Sequence, residues 1–509
     1  MNSTPNDSQH FFTDLSAMKL NTSHELRQQL AALENRMLLE VEKRKSLLDC
    51  IQPLQQAAAK NLIHYLTLRN EDICAIQESL HIQGLSSLAS SESHIHRQLQ
   101  AVLQQLGKIY KAAELDTCNF KYSTRQITKK AAKLFGEKKD AVIPHVMVTF
   151  DASFADDYQL IKKLLLAGMN VARINCAHDD ESTWTQLIIQ LRRACLKTGI
   201  ACKIYMDLAG PKIRTKLLSK GQKKGKVKVK EGDLIWLAEK AIGYDANDIV
   251  ISPNEPGIVA MLKTGERVYI DDGLIKCIVA GNTKKGAALR LVRIAGGKPR
   301  IKSGKGINFP DSEISIASLT DFDKKCLPFI CKYADMIGYS FVKTATDLEM
   351  LQKALLQLTA TPPDIILKIE TPQAVKNLPE LLLRGMQQPV FGVMIARGDL
   401  AVEIGFERMG EIQEEILWIC EAAHVPVIWA TQVLENLNKS GIATRSEITD
   451  AAHAAMAECV MINKGSHTVK VIETLKDILH RIGGHHIKKR FTFRQLSIAK
   501  DFMMTSVVD

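Results

Sequence analysis

The 509-residue chain contains no apolar run of about 18–20 residues, so no helix is expected to cross a bilayer. Its opening segment, MNSTPNDSQHFF, lacks a cationic start followed by an apolar block, and no secretory signal is expected. The 11 cysteines are scattered, without a C-x-x-C pair or regular spacing. That argues against a disulfide framework or a cysteine zinc site and for reduced thiols in the cytoplasm. Aromatic residues make up only 6% and do not interleave with a basic stripe, so a nucleic-acid partner is not expected despite a formal charge of +11. A positive field still draws anions, phosphorylated metabolites among them. Much of the excess lies in runs such as KKGKVKVK (223–230), whose ordinary reading is a solvated face.

The composition, 46% hydrophobic and 24% charged, is that of a globular protein, and the length predicts two to four domains. Residues 1–22 are polar and expected as a disordered tail. Residues 23–140 carry apolar residues at three-and-four spacing, as in ELRQQLAALENRMLLEVEKRKSLLDCI, and predict a helical N-terminal domain. Within it GLSSLASSES reads as a loop leading to a capped helix. From residue 141 the pattern changes to short β-rich runs separated by amphipathic stretches such as DDYQLIKKLLLAG. Eight runs recur: HVMVTF, NVARINCA, CKIYMDL, DMIGYSF, DIILKIE, FGVMIA, PVIWATQ and ECVMIN. Eight β–α repeats predict a closed TIM (β/α)8 barrel built from 141–214 and 309–490. The interval 215–308 reads as an inserted small β domain, and 491–509 as a C-terminal tail.

In such a barrel the active site lies at the C-terminal ends of the strands. Those ends are rich in polar residues: Arg173, Asn175 and His178; Asp207, then Lys212 and Arg214; Lys368 and Glu370; Asp399; Thr431 and Gln432. Singly, each is ordinarily a cap or a surface charge. Lys368 and Glu370 flank Ile369, so both are expected on one side of their strand, where buried charges must be paired or used. Glu370 and Asp399 on neighbouring strands suit a hard cation such as magnesium. Arg173, Arg214 and Lys368 could surround a phosphate, and metal with cations is the equipment of phosphoryl transfer.

At these residues the chain resembles the pyruvate kinase family. MNVARINCAH is similar to the family's MNVARLNFSH, and MDLAGPKIRT to its LDTKGPEIRT. VYIDDGLI, KGINFP, SFVKTATD, KIE, MIARGDLAVEI, ATQVLE and TRSEITD match further family segments in the same order, over about 145–465.

The resemblance implies transfer of the phosphoryl group of phosphoenolpyruvate to ADP, giving pyruvate and ATP. It implies that Glu370 and Asp399 hold magnesium or manganese, and that Lys368 stabilises the phosphoryl group in flight. Arg173 would grip the substrate phosphate; Ala396, Gly398 and Asp399 would line the carboxylate pocket; Thr431 would lie over the enolate. Arg214, His178 and Lys305 would serve the nucleotide phosphates, and the inserted domain would act as a lid. A homo-oligomer is implied as well.

The chain also departs from the family pattern. Ala177 replaces a serine that helps hold potassium, and Lys212 replaces the glutamate of GPEIR, as in potassium-independent members. An ammonium can replace the monovalent cation, so potassium is not expected to be required, with Asn175 and Asp207 keeping orienting roles. Leu208 and Ala209 replace a Thr-Lys pair, FDAS replaces IGPAS, Lys343 replaces an arginine, and NKGSHTV replaces SGETAKG after the eighth strand. The family's C-terminal regulatory domain has no counterpart before Asp509, so activation by a sugar bisphosphate there is not expected. Two rival readings stand beside the kinase: a non-catalytic relative that binds phosphoenolpyruvate or a nucleotide as a sensor, and another barrel chemistry on phosphoenolpyruvate and metal.

Overall fold

The computed structural model describes residues 22–483, except 139, 141–142, 221, 297–299, 313 and 315, together with 486–487 and 490–491. The expected tails at 1–22 and 491–509 fall almost wholly outside the described residues. The chain forms two compact units that divide between Thr124 and Arg125, inside the helix Phe120–Phe135.

The first unit is helical. Helix α1 (Ser23–Lys43) starts at a capping box in which Thr22 and Glu25 satisfy each other's backbone N–H groups. It buries Leu26, Leu30, Leu33 and Met37, one stripe at helical spacing, against α2 (Gln56–Arg69) and α3 (Ile95–Gln105). The serine-rich loop does precede α3, but the residue at its N-cap position, His94, does not cap it with its side chain. Asn61, on α2, does so instead: its Oδ1 accepts from Ile95 N at 3.0 Å and its Nδ2 donates to Glu92 O at 2.8 Å.

The second unit contains the closed eight-stranded parallel barrel. Its strands are β1 (His145–Phe150), β2 (Val171–Asn175), β3 (Lys203–Asp207), β4 (Met336–Tyr339), β5 (Asp364–Ile369), β6 (Phe391–Ala396), β7 (Val427–Ala430) and β8 (Cys459–Ile462). Each lies within one of the eight β-rich runs. Neighbours in sequence are neighbours in space, and β8 closes on β1 with Cys459 opposite His145. Threonine and aspartate caps start the outer helices, including Asp157, Asp180, Thr320, Thr344 and Thr444, whose side chains accept from the first turn. Leu134 and Phe135 cluster with Met147, Val171, Met336, Ile366, Met394, Ile428 and Met461 from the strands. A Cβ at Gly392 on β6 would come within 3.2 Å of Leu134 Cδ1, so a larger residue there would collide with this packing.

Between β3 and the next barrel helix the chain makes a seven-stranded, mostly antiparallel sheet. Its order is Ile307–Asn308, Arg267–Ile270, Ile275–Thr283, Gly286–Ile294, Leu234–Leu237, Val250–Pro253, Thr215–Leu217. It has its own core, including Ile235, Val268, Cys277, Leu289 and Ile301. The fold is therefore a (β/α)8 barrel with an inserted barrel-like β domain and an N-terminal helical region. No described helix is long and apolar enough to cross a membrane.

Candidate active site

Four charged side chains from three strands meet at the C-terminal end of the barrel. On β2, Arg173 donates from Nε and Nη2 to Asp207 Oδ2 at 2.9 and 2.5 Å, and from Nη1 to Thr149 Oγ1 at 3.0 Å. Asp207, which ends β3 and is 0% exposed, also accepts the Tyr205 hydroxyl on Oδ1 at 2.6 Å. Lys368 on β5 reaches Asp207 Oδ2 at 3.4 Å, Glu370 Oε1 at 3.0 Å and Ser340 Oγ at 2.7 Å. Glu370 accepts Phe341 N on its second oxygen at 2.6 Å.

Two cations thus face two carboxylates. Lys368 and Glu370 lie on one side of β5, as their i, i+2 spacing predicts, and are 8% and 3% exposed. Burial opposes every one of these charges, yet their mutual attraction prevails for three of them. Burial works against the Asp207 carboxylate, but Lys368 and Arg173 hold it below the usual range. Burial likewise works against Lys368, but Asp207 and Glu370 hold it above its ordinary value. Glu370 is the exception: burial pushes it up, and Asp399 adds to that against the pull of Lys368.

Asp399 lies in the first turn of the helix Arg397–Ile404, directly after β6, whose last residue is Ala396. Its Oδ1 accepts from Lys212 Nζ at 2.8 Å, and Lys212 also lies 3.6 Å from Asp272 of the inserted domain. Two oxygen-donor carboxylates that repel each other are a donor set that fits magnesium or manganese. Thr431 follows β7 with φ 67°, a left-handed conformation costly for a β-branched residue. Its buried Oγ1 has no hydrogen-bond partner among the described residues, and it lies 3.7 Å from where a Cβ on Gly398 would be. Arg397 donates to Ala430 O and Thr431 O at 2.9 and 2.6 Å and pairs with Asp450, which fixes the β6 and β7 ends together.

Of the remaining predicted residues, Asn175 lies opposite Asp207 in the β2–β3 pairing, whereas Arg214, Lys305 and His178 make their contacts elsewhere. Asn175 spends its Oδ1 on Ala177 N at 3.0 Å. Arg214 donates to Gly304 O at 3.0 Å, and Lys305 pairs with Asp271 at 2.8 Å, so both are engaged with the inserted domain. His178 is exposed; partial burial with Lys464 and Arg214 nearby pushes its imidazole below the ordinary value. No hydrogen bond or ion pair among the described residues joins these three to Lys368 or Glu370.

The sequence reading passed over several members. Tyr205 stands two residues before Asp207, the same i, i+2 signal that united Lys368 and Glu370. Ser340 lies inside SFVKTATD. Gly338 carries no side-chain signal, yet a Cβ there would sit 1.9 Å from the Tyr205 hydroxyl and 2.2 Å from Asp207 Oδ1. Glu403, one helical turn beyond Asp399, accepts from Asn308 Nδ2 at 2.8 Å, and burial pushes it up to about 7.

The barrel-domain model of the pyruvate kinase family matches residues 144–470. A pyruvate kinase of Geobacillus stearothermophilus is 32% identical over 327 residues, 63% of this chain and 53% of that protein. One from Thermotoga maritima is 32% identical over 330 residues, 64% of this chain and 67% of that protein. The human pyruvate kinase PKLR is 30% identical over 326 residues, 62% and 55% of the two chains. The alignment spans little more than half the length of the first and third of these relatives. With the matching barrel model covering well over half of its own length, the chain belongs to the pyruvate kinase family.

Proposed function

We propose that the chain is a pyruvate kinase that moves the phosphoryl group of phosphoenolpyruvate onto ADP, with magnesium or manganese and without potassium. The observation that carries this reading is Lys368: a buried ammonium within 3.4 Å of both Glu370 and Asp207, next to the guanidinium of Arg173. Phosphoryl transfer asks the protein chiefly to position the substrate and to stabilise spread negative charge.

In this reading Arg173 binds the phosphate, and Lys368 follows the charge from the phosphoryl group to the enolate oxygen. The P–O bond of the enol phosphate breaks as a terminal oxygen of ADP bonds to phosphorus. The methylene carbon of the remaining enolate then takes a proton on the face toward Thr431. The substrate carboxylate lies against Ala396, Gly398 and Asp399. A divalent ion held by Glu370 and Asp399 would neutralise charge on the carboxylate and phosphoryl oxygens. Arg214, His178 and Lys305 serve the nucleotide, and closure of the inserted domain excludes water.

Potassium independence is supported by how the local oxygens are spent. Asn175 Oδ1 accepts from Ala177 N, Asp207 is taken by Arg173, Tyr205 and Lys368, and Ala177 offers no side-chain oxygen. The ammonium of Lys212 supplies the positive charge instead. None of the 11 cysteines forms a disulfide among the described residues, which supports a cytoplasmic setting. A homo-oligomer follows the family's habit.

The test follows pyruvate from phosphoenolpyruvate, ADP and magnesium in sodium-only and potassium-only buffers, with Lys368→Met as control. Turnover in both salts, lost in the variant, supports the whole reading. Turnover only in potassium overturns the role of Lys212. Phosphoenolpyruvate binding without turnover in either salt replaces the kinase by the sensor.

A further inference from the structure

We propose that His64, His96 and Asp116 of the helical unit form a divalent transition-metal site of the zinc type, separate from the catalytic barrel. The three ligand atoms lie within 4.8 Å of one another. Two ligands at about 2.0 Å from a tetrahedral ion stand roughly 3.3 Å apart. His96 Nδ1 is 3.0 Å from Asp116 Oδ2, and His64 Nδ1 is 4.0 Å from the same oxygen, so small side-chain rotations bring all three onto one ion.

His64 is the first argument. It is 3% exposed, and neither ring nitrogen has a hydrogen-bond partner among the described residues. A buried imidazole without partners is costly, and this one faces another imidazole at a ring-centroid distance of 4.7 Å. A metal on Nδ1 gives it the partner it lacks.

The surroundings of His96 and Asp116 are the second. Glu34 Oε1 is 3.1 Å from His96 Nε2, while its Oε2 accepts from Lys108 Nζ at 2.6 Å and the Tyr110 hydroxyl at 2.7 Å. A carboxylate held on one imidazole nitrogen places the proton there and turns the other nitrogen's lone pair toward a metal, as in carboxylate–histidine–zinc arrangements. That lone pair then faces a carboxylate oxygen, an approach that needs a cation between them. Asp116 is held as well. Its Oδ1 accepts from Cys118 N at 2.8 Å, leaving Oδ2 toward the histidines. Its backbone N–H donates to Gln100 Oε1 at 2.8 Å, so the loop is staked to the helix that bears His96. A proton on His96 would also bridge Glu34 and Asp116, but it would leave both His64 ring nitrogens without a hydrogen bond among the described residues. One ion satisfies both rings and ties α2, α3 and the 114–118 loop together, with solvent in the fourth position.

The test uses the full chain, stripped with chelator, dialysed against zinc and then against buffer, with zinc counted by elemental analysis. An Asp399→Asn chain run in parallel removes a catalytic carboxylate as a source of binding. The expected result is one zinc per chain in both, lost in His64→Gln, with Glu34→Gln weakening affinity by about 10–100-fold. No retained zinc, or undiminished zinc in His64→Gln, overturns the proposal. Should His64→Gln fail to fold, cobalt substitution of the native chain decides. The intense visible bands of a tetrahedral nitrogen-ligated ion support the site, and the weak bands of an all-oxygen octahedral ion overturn it. Neither outcome depends on kinase activity.

Discussion

Lys212 and Asp399, 187 residues apart, form a 2.8 Å ion pair where the β3 loop meets the helix that follows β6. Asp399 is also the residue proposed to hold the divalent cation. In the proposed function this permanently attached ammonium, beside the metal position, takes the place of a diffusible monovalent cation. Burial alone would depress Lys212, but Asp399 and Asp272 hold it above its ordinary value, so it stays charged throughout the neutral range.

Reversal of that charge is expected to create the missing requirement. In Lys212→Glu, turnover in sodium-only buffer should fall at least about tenfold, a loss of about 1.4 kcal/mol of transition-state stabilisation, and added potassium should restore part of it. The measurement is kcat against potassium concentration for both chains. Equal insensitivity of both to potassium would refute the assignment.

Removal of the Lys368 ammonium has two separable effects. The charge stabilisation proposed for it is lost, and kcat should fall by at least about 10²-fold in Lys368→Met. Asp207 and Glu370 also lose their shared partner, and breaking a buried ion pair costs about 3–5 kcal/mol. The double variant Lys368→Met with Glu370→Gln should therefore recover stability without recovering turnover. Urea unfolding beside the kinetic assay separates the two effects, and a double variant no more stable than the single one would contradict the paired geometry.

These contrasts show which relationships were legible in the sequence. The eight strands were, because a buried parallel strand is a short apolar run between turn signals, and the Lys368–Glu370 pair was, because alternation along a strand is local. Gly338 was not: the space it leaves is filled by Tyr205 and Asp207 from another strand, and nothing near residue 338 records that contact. Nor was the start of α3, where the serines nearby suggest a local cap but Asn61, 34 residues earlier, provides it. The tie from Asn308 of the inserted domain to Glu403 of the barrel is equally non-local. Local periodicity reveals elements and faces, whereas partners brought together by closure of the fold leave no mark at fixed spacing.

Thr431 offers a test of the protonation step. Its buried hydroxyl, without a hydrogen-bond partner among the described residues, and its left-handed backbone are both unfavourable in a residue with only a packing role. Thr431→Ala should lower kcat by about 10²-fold, the lower end of the range for acid–base assistance, with KM for phosphoenolpyruvate nearly unchanged. Exchange of solvent deuterium into the methyl group of added pyruvate should slow in parallel. A change in KM alone would make Thr431 a binding residue instead.

Lys130 carries the prediction for pH. Its ammonium donates to His424 O at 2.8 Å, and burial depresses it from its ordinary value of 10.5 to about 7. Between these values the unfolded chain binds a proton at this site that the folded chain gives up. Stability must therefore rise with pH across the window, at a limiting rate of about 1.4 kcal/mol per pH unit, and this contribution is lost as pH falls to 7. In Lys130→Met the apolar stem remains and the titration does not. The midpoint of thermal unfolding should then depend less steeply on pH between about 7.5 and 9.5, and at pH 7.5 the variant should melt above the parent. Parallel curves for the two chains would show that the lysine stays protonated in its buried position.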